Sequence, residues 1–239
     1  MVRVVCWNAE HKRDSWRFLC DRRGEADVAL LQEACTPPEE ITRRLDVGPG
    51  PWVHEGWNGA RAIVRISNRV WVERIPTRDI IASAPSVSAI DSPARLAAGV
   101  ATLPGGEQLG LVSFESAGYW AERVPAMILQ VQRYCEKQGW DAGLPFIVGA
   151  DLTTWWDSDT TVFGEMMRIG LPLIGPHAAT FYSRPSGQKP VDATLQLDYV
   201  FASRLIAHRL TVQALNDPGD WGPSDHCRIV INLEESQHL

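Results

Sequence analysis

The 239-residue chain has no run of about 20 apolar residues, so no segment of it reads as a membrane-spanning helix. Its first residues, Met1-Val2-Arg3-Val4-Val5-Cys6-Trp7-Asn8, lack the apolar core and cleavage site of a secretory signal and read instead as a strand. Cysteine is sparse: there are five, an odd number, with no Cys-x-x-Cys pair. That spacing excludes a zinc cluster and argues against a disulfide framework, leaving free buried thiols in a reducing cytoplasm as the expectation. Positive charge is also short, with 23 Lys and Arg against 29 Asp and Glu, a net charge of −6. Such a surface does not bind duplex DNA tightly and indiscriminately, because that binding rests on neutralising many phosphates. A local basic rim can still act against the overall sign. No internal repeat, low-complexity segment or dividing linker interrupts the chain. The expectation is a single domain over residues 1–239, soluble, cytoplasmic and monomeric, with 45% apolar residues to fill one core.

What is present is a series of strands that finish in polar residues. The chain is organised around Gly222-Pro223-Ser224-Asp225-His226-Cys227, a turn stiffened by Pro223 that delivers an acid and an imidazole side by side. The β-branched run that follows, Cys227 to Leu233, reads as a strand. Val2 to Trp7 reads as a buried strand ending at Asn8, and Ala26 to Gln32 as one ending at Glu33. A helix through Arg23, capped by Asp14 or Ser15, lies between them. A strand meander is expected over Trp52–Ser67 and Val70–Ile75, then Val87–Ile90, Ala97–Leu103 and Gln108–Phe114. Tyr119 to Gln138 reads as a long amphipathic helix whose Val124, Met127, Ile128, Val131 and Cys135 form a core stripe. Leu144 to Gly149 is an apolar central strand followed by Asp151, and a helix runs from about Asp159 to Arg168. Ala179–Tyr182, Gln196–Ala202 and Leu205–Ala214 complete the expected strands, with Asp198 near the start of the second.

Asn8, Glu33, Asp151, Asp198, Asp225 and His226 thus gather four carboxylates and an amide around one imidazole at strand ends. These are the parts of metal-assisted attack on a phosphodiester. A hard cation, Mg²⁺ or Mn²⁺, takes oxygen ligands, which Glu33, Asp225 and Asn8 supply while leaving positions open for water and phosphate. The cation polarises the phosphoryl oxygen as water attacks in line. An imidazole in such a site needs an acceptor on its far nitrogen, a task suited to Asp198 with His226. Asp151 is then left to orient or deprotonate the water.

Five segments carry a family resemblance in series: Cys6-Trp7-Asn8, Leu31-Gln32-Glu33, Gly149-Ala150-Asp151-Leu152-Thr153, Leu197-Asp198-Tyr199 and Ser224-Asp225-His226. In order and span they resemble the endonuclease/exonuclease/phosphatase superfamily of DNase I, exonuclease III and the apurinic endonucleases. The resemblance implies an α+β fold, a four-layer αββα sandwich of two mixed sheets packed face to face with helices outside. It also implies Mg²⁺-dependent phosphoester cleavage at one rim of the sheets, with Glu33 as metal ligand and Asp198–His226 as the acid–imidazole pair.

Two positions depart from the family pattern. Thr153 stands where an Asn amide usually steadies phosphate or water, and its hydroxyl offers one donor instead of two. Glu115 stands near the place of a second His or Tyr, where an ionised carboxylate repels phosphate; Tyr119 or Trp120 is the candidate to fill that role. Losing one transition-state donor costs about 10²–10³ in rate. For the substrate, Trp155 is placed to stack on a base, whereas Trp156 is expected to wedge its loop onto the sheet edge. Arg61 and Arg184 either contact phosphate or solvate a sheet face and a loop. The expected substrate is nucleic acid. A phosphatase or phosphodiesterase on a small or lipid-derived phosphate is the first alternative, and a weakened member acting as a nucleic-acid- or protein-binding module the second.

Overall fold

The computed structural model describes residues 1–48, 60–82, 96–116, 123–141, 143–152, 160–183 and 187–236. Eleven strands form two sheets. The first holds β1 (Val2–Asn8), β2 (Val28–Ala34), β3 (Ala60–Arg65), β10 (Leu210–Ala214) and β11 (Ile229–Leu233), in the order β10-β11-β1-β2-β3. The second holds β4 (Trp71–Ile75), β5 (Leu96–Thr102), β6 (Gln108–Glu115), β7 (Phe146–Asp151), β8 (Leu173–Gly175) and β9 (Asp198–Ala202), in the order β4-β5-β6-β7-β9-β8. Both are mixed: β1–β2 and β6–β7 run parallel, and the remaining pairs antiparallel.

Alternation along the strands builds the layers. On β1, Val2, Val4 and Cys6 point between the sheets, where they meet Val28, Leu30, Leu111, Ile147, Val200 and Ile231. The intervening Val5 and Trp7 point outward onto Trp16, Leu19 and Cys20 of α1 (Arg13–Asp21) and Ile41 of α2 (Glu39–Thr42). On the second sheet, Val112, Phe114, Val148, Ala150, Tyr199 and Phe201 point outward against three helices. These are α3 (Thr77–Ala82), α4 (Val124–Lys137) and α5 (Thr160–Arg168). The result is the four-layer sandwich of helices, sheet, sheet and helices. The apolar stripe expected on α4 is buried in full, from Val124 to Cys135.

Several elements differ from expectation for local reasons. Helix α1 starts at Arg13, because the Ser15 hydroxyl bonds Ala9 O at 2.8 Å and caps nothing; Arg23–Glu25, with Gly24 inside it, forms a separate 3₁₀ turn. Leu205 to Ala214 is not one strand: α6 (Arg204–Ala207) precedes β10. Ala179 to Tyr182 contributes only isolated bridges from Phe181 to Leu195 and His226, while the short strand β8 takes the sheet edge beside β9. The expected strand Val87–Ile90 and the first part of the Trp52–Ser67 strand lie outside the described residues.

Candidate active site

The inward rows of both sheets turn polar at one rim. Val2, Val4 and Cys6 are followed by Asn8, Leu109 and Leu111 by Ser113 and Glu115, and Ile147 and Gly149 by Asp151. The antiparallel β9 enters at the same rim with Asp198 before its inward Val200 and Ala202. Asn8, Asp151 and Asp198 are each buried, and Asn8 Nδ2 donates to Asp151 Oδ2 at 2.7 Å across the gap between sheets. The sheets approach closely beneath this point: a Cβ on Gly149 would sit 2.5 Å from Cys6 Sγ.

His226 enters from the turn before β11. Its Nδ1 lies 2.8 Å from Asp198 Oδ2, and its Nε2 lies 3.9 Å from Asp225 Oδ1. Everything around the ring is held. Trp7 Nε1 donates to His226 O at 3.0 Å, Ser224 Oγ donates to Asn8 O at 2.7 Å, and His226 N donates to Ser224 Oγ at 3.1 Å. Thr180 Oγ1 accepts from the amides of Leu197 and Asp198, and the Phe181 ring lies 4.9 Å from the imidazole. Asp151, Asp198 and His226 each offer a ligand atom within 4.8 Å of the others, and Asp198 Oδ1 is buried with no hydrogen-bond partner.

Electrostatics split the two sides of the site. Burial works against a charged His226, but Asp198, Asp151 and Asp225 outweigh it and raise the imidazole to about 10. Asp151 is pushed up to about 7, first by burial, against the pull of His226, with Asp198 and Glu33 adding to the rise. Burial also opposes ionisation of Glu33, yet His11, His226 and Asn8 hold its carboxyl below the ordinary range. The site therefore keeps an ionised Glu33 and a protonated His226 at neutral pH, with Asp151 near its midpoint.

Glu33 reaches this rim through a local irregularity. The β2–β3 register shifts between Leu31 and Ala34, and Glu33 adopts φ 46°, a left-handed conformation uncommon for a residue with a side chain. His11 N donates to Glu33 O at 2.8 Å, and His11 Nε2 stands 3.1 Å from Glu33 Oε2. The next residue back, Glu10, accepts from Asp225 N at 2.9 Å.

The residues expected to meet substrate fare differently. Arg61 does not face an open phosphate site: it points inward from β3 and is buried in an ion pair with Glu115 of the other sheet. That pair also offsets the charge through which Glu115 was expected to repel phosphate. Thr153, Tyr119, Trp155 and Arg184 lie outside the described residues, as do Trp120 and Trp156. Trp221 is buried edge-on against Tyr182 at 5.2 Å, so it fills a small satellite core and presents no stacking face.

Sequence reading passed over four contributors: His11, Gln32, Thr180 and Ser224. Gln32 ties the sheets beneath the site, its Nε2 donating to Ser113 Oγ at 2.9 Å, while Ser113 Oγ donates to Leu31 O at 2.7 Å. His11 carried a usable signal, an imidazole three positions beyond a strand-ending Asn. Thr180 carried none, because its role is to accept from a distant strand's amides.

No protein-family model matches the sequence, and no curated protein matches it either. Solved structures do. The endonuclease domain of TRAS1, a telomere-specific non-LTR retrotransposon, superposes with TM-score 0.66 at 17% identity over 99% of this chain and 100% of that one. The AP endonuclease LMAP of Leishmania major gives 0.62 at 14% identity, over 98% and 88%. A mannosyl-6-phosphatase of Bacteroides thetaiotaomicron gives 0.67 at 14% identity, over 98% and 100%. The neighbours share a scaffold and differ in substrate.

Proposed function

We propose that this chain, which has the fold of the endonuclease/exonuclease/phosphatase superfamily, is a single-domain, divalent-metal-dependent phosphoesterase, with the phosphodiester of a nucleic acid as its substrate. One observation carries the reading. The buried Asp198–His226 pair, 2.8 Å apart, shares a rim with the Asn8–Asp151 pair, so that an oriented imidazole and a carboxylate face one space. The donor set fits a hard cation. Four carboxylates stand against two imidazoles at this rim, Glu33 is kept ionised, and Asp198 Oδ1 is left without a hydrogen bond. Glu33, Asn8 and Asp225 would hold the ion. When bound, Mg²⁺ or Mn²⁺ supplies Lewis-acid polarisation of the phosphoryl oxygen and offsets its charge.

The protein's own groups divide the rest of the work. Asp198 fixes the imidazole through Nδ1 and leaves Nε2 to donate to a phosphoryl oxygen, where negative charge builds as water adds. Asp151, raised to about 7, is matched to accept a proton from water near neutral pH, and the Asn8 amide fixes the direction of its carboxylate. Two further observations keep a second substrate reading alive, a small phosphate ester. The net charge is −6, and Arg61 is tied to Glu115 instead of being offered to a polyanion.

The test is single-turnover cleavage of DNA, RNA and a small phosphomonoester with Mg²⁺, with Mn²⁺ and with EDTA, in wild type, Glu33→Gln and His226→Ala. The expected result is polynucleotide cleavage that EDTA abolishes and each variant lowers at least about 10²-fold. Binding to the polynucleotide should weaken steeply with salt. Cleavage confined to the small ester, with a shallow salt slope, selects the second reading. Equal and negligible cleavage by all three proteins overturns both.

A further inference from the structure

Resting on the metal-dependent reading above, the geometry around Glu33 points to a nitrogen ligand in the metal site: we propose that His11 binds the cation beside Glu33 and biases the site toward Mn²⁺ over Mg²⁺. His11 Nε2 already lies 3.1 Å from Glu33 Oε2. Neighbouring ligand atoms around an octahedral ion with bonds of about 2.1–2.2 Å are about 3.0–3.1 Å apart. An ion can therefore take the place of the shared proton without moving either backbone.

Both backbones are prepared for this. His11 and Glu33 each occupy left-handed conformations, φ 53° and φ 46°, and the His11 amide is bonded to Glu33 O at 2.8 Å. The loop after β1 is thus pinned to the end of β2 by the same two residues whose side chains meet. Half-buried, His11 keeps one edge of its ring toward solvent, so an ion reaches the pair without opening the core. No other imidazole is used this way, since His226 Nδ1 is committed to Asp198.

The bias follows from ligand chemistry. An all-oxygen site accepts Mg²⁺ and Mn²⁺ alike, whereas imidazole nitrogen is a good ligand for transition ions and a poor one for Mg²⁺. Adding His11 to Glu33 and Asn8 converts a hard oxygen site into a mixed one.

The experiment uses Mn²⁺ itself as the probe, on the full chain. Affinity is read by EPR titration, with Mg²⁺ as competitor, and nitrogen coordination by electron spin echo modulation. Variants are His11→Gln, His11→Asn (tolerant of the left-handed backbone), His226→Ala and Glu33→Gln. The proposal expects imidazole nitrogen modulation in wild type that both His11 variants lose and His226→Ala keeps. It also expects the Mn²⁺-over-Mg²⁺ preference to fall about tenfold or more in the His11 variants. Modulation absent from wild type, or surviving in His11→Gln, overturns it, as does a Mn²⁺ preference changed by less than about twofold. Modulation lost only in His226→Ala overturns it by moving the ion to the other imidazole. Mn²⁺ binding unaffected by Glu33→Gln removes the metal assignment, and this inference falls with it; loss in Glu33→Gln alone leaves that assignment standing and refutes only the part given to His11.

Discussion

Asn8 and Asp151, separated by 143 positions in the chain, are joined by a 2.7 Å hydrogen bond that crosses from one sheet to the other. The bond orients a carboxylate without relieving its burial. Asp151 titrates near 7 instead of 3.8, so its proton is held more tightly in the native state than in the unfolded chain. Its contribution to stability is therefore complete below about 3.8 and is lost as pH rises toward about 7. Asp151→Asn should raise Tm by several degrees at pH 8 and by little at pH 4, while turnover falls at least about 10²-fold. Thermal melts at the two pH values check the first half, and cleavage assays the second.

The Asp198–His226 pair has the opposite charge and its own pH window. With a folded value of about 10 against an ordinary 6.5, the imidazolium stabilises the protein fully below about 6.5, and that stabilisation disappears as pH climbs through about 10. Denaturant unfolding in EDTA should show wild type losing stability across this range relative to His226→Gln. Parallel curves for the two proteins would mean that the ring is neutral in the folded state.

Arg61 and Glu115 form a buried pair across the sheet gap. Removing one partner leaves a buried charge uncompensated, so Arg61→Met or Glu115→Gln should each cost about 3–5 kcal/mol. The apolar double variant Arg61→Met with Glu115→Leu should recover most of that loss. A double-mutant cycle by urea unfolding measures the difference, and additive single losses would show that the pair is not coupled.

Gly149 sits where β7 passes β1. A methyl group there would lie 2.5 Å from Cys6 Sγ and 3.2 Å from Leu30 Cδ1, two residues before Asp151. Gly149→Ala should destabilise by about 1–3 kcal/mol through overpacking. Adding Cys6→Ala should restore part of the loss, because it removes the atom in the way. Tm shifts of the single and double variants decide this.

Much of this arrangement is written in alternation that ends on a polar residue. Val2-Val4-Cys6 leading to Asn8, and Ile147-Gly149 leading to Asp151, mark an inward row and the rim it reaches, so the strands and their terminal groups were legible before their pairing was known. Partnership across the gap was not. Alternation assigns Arg61 to a face, and only the packing of β3 over β6 shows that Glu115 stands opposite it. The position of Glu33 was legible, but its left-handed backbone was not, because that depends on a register shift against β3. At α6 the apolar residues Leu205 and Ile206 suit a strand as well as a helix, and the sheet edge decides between them.

The strand that opens the chain, β1, lies between β2 and the strand that closes it, β11, paired from Val2 with Leu233 to Cys6 with Ile229. During synthesis the central strand of that sheet must wait with one edge bare until nearly the whole polypeptide has left the ribosome, and His226 arrives with the last of it. A truncated or stalled product therefore holds Asn8, Glu33 and Asp151 without the imidazole that completes them. Any hydrolytic capacity should switch on only when the final strand docks, which makes the enzyme inert toward the nucleic acids around it while it is being made.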